Sequence, residues 1–179
     1  MEGNKKTKRA FTFIEVMVVI SIFLVITGIF FYTLIVLRRD WQKQEIRVYL
    51  SQQLRGAMEF MMEDISSSSP SQVNIPTDGN WHSQLVFHIP QDIDGDGTVL
   101  DSNNEVEWSS DITYLLSGDK ILRTYQADTR TIASFISSLR FRRTASNPRK
   151  LEVDIEASRN TSYQDLIVQN LTFAITLKN

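Results

Sequence analysis

Between Phe11 and Leu37 the chain runs for 27 residues, FTFIEVMVVISIFLVITGIFFYTLIVL, with Glu15 as the single ionisable carboxyl. An ionised carboxylate in hydrocarbon costs on the order of several kcal/mol unless something opposes its charge. The local spacing offers a partner. A cut between Ala10 and Phe11 creates an α-ammonium four residues before Glu15, within reach along a helix. In a packed assembly the same carboxylate meets the new N-terminus of a neighbouring chain instead. The bland alternative is a neutral Glu tolerated at the membrane edge.

A second cluster is Asp92-Ile-Asp94-Gly-Asp96-Gly97-Thr98-Val99-Leu100-Asp101. Carboxylates at the first, third and fifth places, Gly at the sixth and an apolar residue at the eighth match the opening of a calcium loop. Asp92, Asp94, Asp96 and Thr98 are its candidate ligands for a structural calcium ion. Three carboxylates within five residues repel one another unless a cation sits among them. The twelfth place holds Asn103 rather than a bidentate Glu, and the flanks read as strands rather than helices. The alternative is a solvated, Asx-rich turn joining two strands. The two histidines, His82 and His88, stand in a turn and a strand with no Ser or Glu arranged as triad partner. No phosphate-cradling Gly loop and no histidine zinc motif is present, so the chain reads as structural rather than enzymatic.

The elements that position these residues follow from the pattern. A helix over residues 11–37 spans roughly 40 Å, enough to cross about 30 Å of bilayer hydrocarbon. The run ends on bulky Leu37 without a small-residue cleavage site, unlike a secretory signal. Lys5, Lys6, Lys8 and Arg9 against Glu2 give residues 1–10 a charge of +3. That leader favours a cytoplasmic N-terminus and an extracytoplasmic remainder, a bias which Arg38 and Arg39 weaken. Tyr32 and Trp41 flank the span as interfacial anchors. Helical spacing then continues through Ile46, Tyr49, Leu50, Leu54, Ala57, Met58, Met61 and Ile65. Phe60 and Met62 lie off that stripe and either widen the core or touch a neighbour. With no proline before Pro70, one helix is expected from Phe11 to Ile65, ended by four serines and that proline.

Beyond it, period-two alternation marks strands at 85–89, 139–143, 151–155 and 171–177. A hairpin pairs 112–116 with 121–125 around Ser117-Gly-Asp-Lys120. The expected fold is α+β: a long N-terminal helix packed on an antiparallel sheet. Its parts are a basic leader (1–10), a transmembrane helix (11–37), an amphipathic extension (38–66) and a sheet domain (67–179).

Bulk composition agrees with a modest folded domain: 179 residues, 42% apolar and 22% charged. The absence of cysteine excludes a disulfide framework, a thiolate metal site and a cysteine nucleophile. A net charge of −2 argues against a nucleic-acid partner. The charge is segregated, with twelve acids and no Lys or Arg between Gly56 and Asp119, and five cations and no acid from Arg140 to Lys150. Either these are complementary docking faces or they are a solvated acidic edge and a soluble basic hairpin.

The basic leader, a small residue and then FTFIEV opening a long apolar helix resemble the N-terminus of type IV prepilins and type II secretion pseudopilins over about residues 4–40. The resemblance implies that a prepilin peptidase cuts between Ala10 and Phe11 and methylates the Phe11 amine. It also implies that Glu15 guides docking into a filament after the subunit leaves the membrane. Two positions depart from the family: Ala10 stands where Gly is usual, which implies slower processing, and Phe13 where Leu is common. The later order FHIPQDIDGDG, VEWSSDITYLL, KILRTY, LRFRR and LTFAITLKN is similar to J-type minor pseudopilins and minor pilins. Major pilins of the commonest class carry a C-terminal disulfide, and many have a proline in the membrane half of the helix; this chain has neither. Implied partners are the peptidase, other pilins or pseudopilins, the inner-membrane assembly platform and, before assembly, lipid. Two other classes stay open: an uncleaved single-pass protein with an extracytoplasmic binding domain, and a membrane-tethered enzyme.

Overall fold

A computed structural model describes residues 12–144 and 146–178. Its first element is one helix, α1 (Phe13–Ser66), of 54 residues. Nothing in that stretch breaks a helix: it contains no proline, and two side-chain hydroxyls in the apolar part bond back to the preceding turn. Ser21 Oγ donates to the Met17 carbonyl (2.8 Å) and Thr33 Oγ1 to the Ile29 carbonyl (2.9 Å). The serine cluster ends α1 as the sequence predicts. Ser66 and Ser67 hydroxyls donate to the Glu63 and Asp64 carbonyls (3.2 and 2.7 Å), taking acceptors that the last turn leaves open. A 3-10 turn, Pro70–Gln72, follows.

The strands are β1 (Val73–Ile75), β2 (Gln84–Phe87), β3 (Ile112–Ser117), β4 (Lys120–Tyr125), β5 (Asp128–Ser134), β6 (Ile136–Arg143), β7 (Lys150–Asn160) and β8 (Leu166–Thr176). They form two antiparallel sheets, ordered β1-β2-β3-β4-β5 and β6-β7-β8. A single sheet was expected, and the division has a local cause. Phe135, between β5 and β6, has a φ of 63°, a left-handed conformation that turns the chain out of its ladder with β4. Its carbonyl accepts from Ser158 N–H of β7, and the next amide, Ile136, donates to Asp119 (both 2.9 Å). The β3–β4 hairpin has the expected register, Ser117 opposite Lys120, with Gly118 at φ 61° in the turn.

The chain resolves into two compact units, residues up to Gln42 and residues from Lys43 onward. In the first, the apolar side chains of α1 are exposed all round. In the second, α1 buries Leu50, Leu54, Ala57, Met61 and Ile65, a stripe at spacings of three and four. They meet Leu85, Phe87, Tyr114, Phe141, Leu151, Val153 and Ile155 in one core. Each of the Leu, Ile, Val, Met and Phe side chains among them contributes about 1.5–3 kcal/mol by leaving water. Phe60 packs partly buried against that core, whereas Met62 stays exposed. Lys43 pairs with Asp165 (3.3 Å) before β8, and Lys178 N–H after β8 donates to the Ser68 carbonyl (2.9 Å). Strand β8 therefore runs alongside α1 in the same direction.

One polar cluster lies under the helix. Asp64 Oδ2 accepts from Tyr114 Oη (2.8 Å) and Arg123 Nε (2.7 Å), and its Oδ1 from Arg123 Nη2 (3.3 Å). The Asp64 and Arg123 side chains are only 14% and 19% exposed. Burial, then the Asp64 charge, pushes the Tyr114 hydroxyl well above the usual phenol range.

Candidate functional site

The start of α1 is built by two residues acting on each other. Glu15 N–H donates to Thr12 Oγ1 (3.3 Å), while Thr12 N–H and its hydroxyl donate to Glu15 Oε2 (2.8 and 3.0 Å). This is a capping box: Thr at the N-cap and Glu three residues on satisfy each other's backbone donors. Thr12 carries no role in the family reading, yet the Thr-x-x-Glu spacing before an apolar run is its sequence signature. Glu15 thus has a local task that does not need a cut chain. Only Oε2 is engaged among the described residues, which leaves Oε1 for another donor. Ala10 and Phe11, the processing pair, lie outside the described residues. The large apolar side chains that follow the box, from Phe13, Ile14 and Val16 to Leu37, are exposed. In length and composition α1 is able to cross a membrane.

The acidic loop folds largely on its own backbone. Asp92 accepts from Gly95 N–H (2.7 Å) and Gly97 N–H (2.9 Å), and Asp94 from Asp96 N–H (3.1 Å). Asp96 Oδ1 accepts from Thr98 N–H and its hydroxyl (2.7 and 2.9 Å). Gly95 and Gly97 take φ of 80° and 87°, which only glycine adopts freely. Of the four predicted calcium ligands the fold gathers two. Asp92 and Asp94 carboxylate oxygens lie with one of Glu107 within 4.8 Å of one another, and neither Asp96 nor Thr98 joins that group. Glu107 was not legible from spacing, because it arrives on the returning arm of the loop, where Gln91 N–H donates to its carbonyl (3.0 Å). Its own Oε2 accepts from Ile93 N–H (2.6 Å). Three oxygens in that compass suit a hard divalent cation such as calcium.

Both histidines are held in hydrogen-bonded frames. His82 Nε2 sits 2.7 Å from Asp78. His88 Nδ1 donates to the Ser109 carbonyl (2.7 Å), with Asn74 and Asp111 at its other nitrogen (3.0 and 3.2 Å). The Asn80 side chain, then His82, holds the Asp78 carboxyl well below its usual range. The basic hairpin is largely paired at home. Arg140 meets Asp154 (2.6 Å), and Arg142 and Lys150 meet Glu152 (2.5 and 3.1 Å). Arg140 and Arg142 both lie over the Trp81 ring, at 5.5 and 4.6 Å. Arg142, then Lys150, lowers the Glu152 carboxyl. Burial opposes ionisation of Asp154, and bonds from Arg140 and Thr172 overcome it, so its pKa also falls. These pairings favour the soluble hairpin over a cationic docking face.

Residues 5–31 match the family model of the prokaryotic N-terminal methylation motif. No curated protein and no solved structure matches the chain. The motif implies processing by a prepilin peptidase and assembly with other pilins, and with the apolar helix it fits a membrane-anchored single-pass protein. Over residues 5–31 the chain carries the prokaryotic N-terminal methylation motif, which leads into one long helix whose outer part packs on antiparallel sheets.

Proposed function

We propose that the chain is a minor pseudopilin-like subunit, nearest to the J type, that is assembled into a filament for type II protein secretion. The observation that carries this reading is the methylation motif running into α1, with Glu15 the only carboxyl in the apolar segment. Cleavage between Ala10 and Phe11 leaves the Phe11 amine, which is methylated, and Glu15 Oε1 receives either that amine or a neighbour's. The apolar helix anchors the subunit in the inner membrane with its N-terminus inside and its sheets in the periplasm. The same surface packs among other helices once the subunit is extracted. Its role is structural rather than catalytic. The half-buried Asp64–Tyr114–Arg123 cluster lies beneath α1 and ties helix to sheet. A minor type IV pilin for adhesion, motility or DNA uptake shares every one of these features and differs in the neighbouring subunits.

Mass analysis of the protein purified from membranes tests the reading. The expected chain begins at methylated Phe11 when a prepilin peptidase is present and at Met1 when it is not. A chain that keeps residues 1–10 in both cases is an uncleaved membrane anchor, and the filament proposal fails.

A further inference from the structure

The two sheets end in the outer strands β1, β5, β6 and β8. Short length, charge, irregular pairing and cover blunt a sheet edge against further strands, and the first three edges use them. β1 is three residues long and runs into Pro76. β5 exposes Asp128 and Arg130 and meets β4 with a register shift. β6 carries Arg140, Arg142 and Arg143, and its Phe141 exchanges both backbone bonds with His82 (2.8 and 2.7 Å). β8 differs. Its sequence LIVQNLTFAIT runs for eleven residues without a charge, a proline or a glycine, and it pairs with β7 without a shift.

Backbone groups of successive strand residues point to opposite edges. Thr161 N–H donates to the Asp165 carbonyl (2.9 Å) and Leu177 N–H to the Arg149 carbonyl (2.8 Å), which puts the odd-numbered residues of β8 on the β7 side. The even-numbered Leu166, Val168, Asn170, Thr172, Ala174 and Thr176 are exposed and turn their N–H and C=O groups the other way. Among the described residues those backbone groups meet no partner. The next in the series, Lys178 N–H, is taken by the Ser68 carbonyl (2.9 Å), so the free edge stops there.

We infer that this edge docks an uncharged, extended segment of another protein, which adds to β6-β7-β8 as a fourth strand. Main-chain bonds to the even-numbered positions hold it. Its inward side chains extend the apolar row at Leu171 and Phe173, which the core covers only in part. Its outward side chains lie beside Asn170, Thr172 and Ala174. The nearest charge on that face, Asp154, is already bonded by Arg140 (2.6 Å) and Thr172 (2.7 Å). A charged newcomer finds no counter-charge there, whereas alternating apolar and neutral polar residues match both faces. The basic leader, with Lys5, Lys6, Lys8 and Arg9, lacks that chemistry. A second copy has it but not the geometry. Two β8 strands joined by this edge run antiparallel with their apolar faces on one side, which reverses α1 between copies inserted in one membrane. Run parallel, they set the apolar face of one beside the polar face of the other. The docking goes beyond the filament reading and requires neither cleavage nor assembly.

Amide hydrogen exchange followed by nuclear magnetic resonance on the full chain in micelles tests this, with the end-blocked peptide TVNITVS as the probe. The Asn170, Thr172 and Ala174 amides exchange freely without peptide and at least roughly tenfold more slowly with it at millimolar concentration. The odd-numbered amides of β8 are protected throughout. The peptide KVKIKVK, which carries lysine at the polar positions, has no effect. Ala174→Pro removes an outward amide and leaves the ladder with β7 intact, so it abolishes the effect of TVNITVS while the odd-numbered amides stay protected. Ala174→Lys keeps the amide, puts a charge on the edge and weakens the effect. Even-numbered amides already protected without peptide, no slowing, equal slowing by KVKIKVK, or slowing that survives both substitutions overturns the inference. The absence of cysteine gives the second arm. Full-length Asn170→Cys in cell membranes, treated with a short bis-maleimide, is expected to give scarcely any homodimer. Abundant homodimer assigns the edge to a second copy and overturns the inference as well.

Discussion

Glu15→Gln separates the capping task that the structure gives to Glu15 from the pairing task proposed for its charge. Glutamine also closes a capping box at this position, so the bonds with Thr12 survive. Losing such a cap altogether costs about 0.5–2 kcal/mol, and here the loss frays one turn of a 54-residue helix. Glutamine therefore leaves insertion and folding unchanged. Its effect falls on the charge. Removing one member of an ion pair shielded from water costs about 3–5 kcal/mol, because the other charge stays buried and unmatched. At about 1.4 kcal/mol per tenfold, filament incorporation falls by roughly two to more than three orders of magnitude. Glu15→Ala loses box and charge together and incorporates no better than Glu15→Gln. The assay fractionates cells into membrane and sheared filament and quantifies processed subunit in each by immunoblot. Wild-type incorporation of Glu15→Gln, with Glu15→Ala defective, refutes the electrostatic role and leaves Glu15 as a helix cap only.

Three further outcomes follow from other parts of the fold. Asp64→Ala leaves the buried Arg123 and Tyr114 groups unpaired and is expected to cost about 3–5 kcal/mol, whereas Tyr114→Phe costs about 1 kcal/mol. Urea unfolding of the full chain in micelles, followed by tryptophan fluorescence, checks this order, and equal small losses contradict it. The Glu152 and Asp154 carboxyls are held below their unfolded values by the basic hairpin, so their stabilisation is present above the unfolded pKa and is lost as pH falls through the folded value. The urea midpoint should drop below about pH 4, with a shallower drop in a chain carrying Arg140→Met and Arg142→Met. Calorimetric titration tests calcium at the acidic loop. One-to-one heat that disappears in Asp94→Asn and Glu107→Gln supports the ion, and a flat trace at millimolar calcium ends it.

Much of the molecule was legible one residue at a time. The long helix, its buried stripe, its serine stop and the β3–β4 hairpin are local in cause. They depend on period, on proline and glycine placement, and on hydroxyls that reach backbone groups within four residues. The Thr12–Glu15 box is equally local, and Thr-x-x-Glu announces it. Strands β1 and β5 were less legible because they are short or mostly exposed, with little alternation to betray them.

The sequence by itself determined the apolar segment, its single carboxyl and the methylation motif, since each is a matter of composition and spacing along one stretch. Only the tertiary structure decided where the sheet divides, because that turns on one left-handed residue, Phe135, whose cost depends on the strands around it. It also decided that Glu107 rather than Asp96 joins Asp92 and Asp94, that Asp64 finds Tyr114 and Arg123, and that Arg140 and Arg142 of the basic hairpin find Asp154 and Glu152. These pairs lie from 10 to 59 residues apart. Electrostatic partners over such distances are chosen by strand register and helix docking, which bring charges within a few ångströms only after the chain has folded.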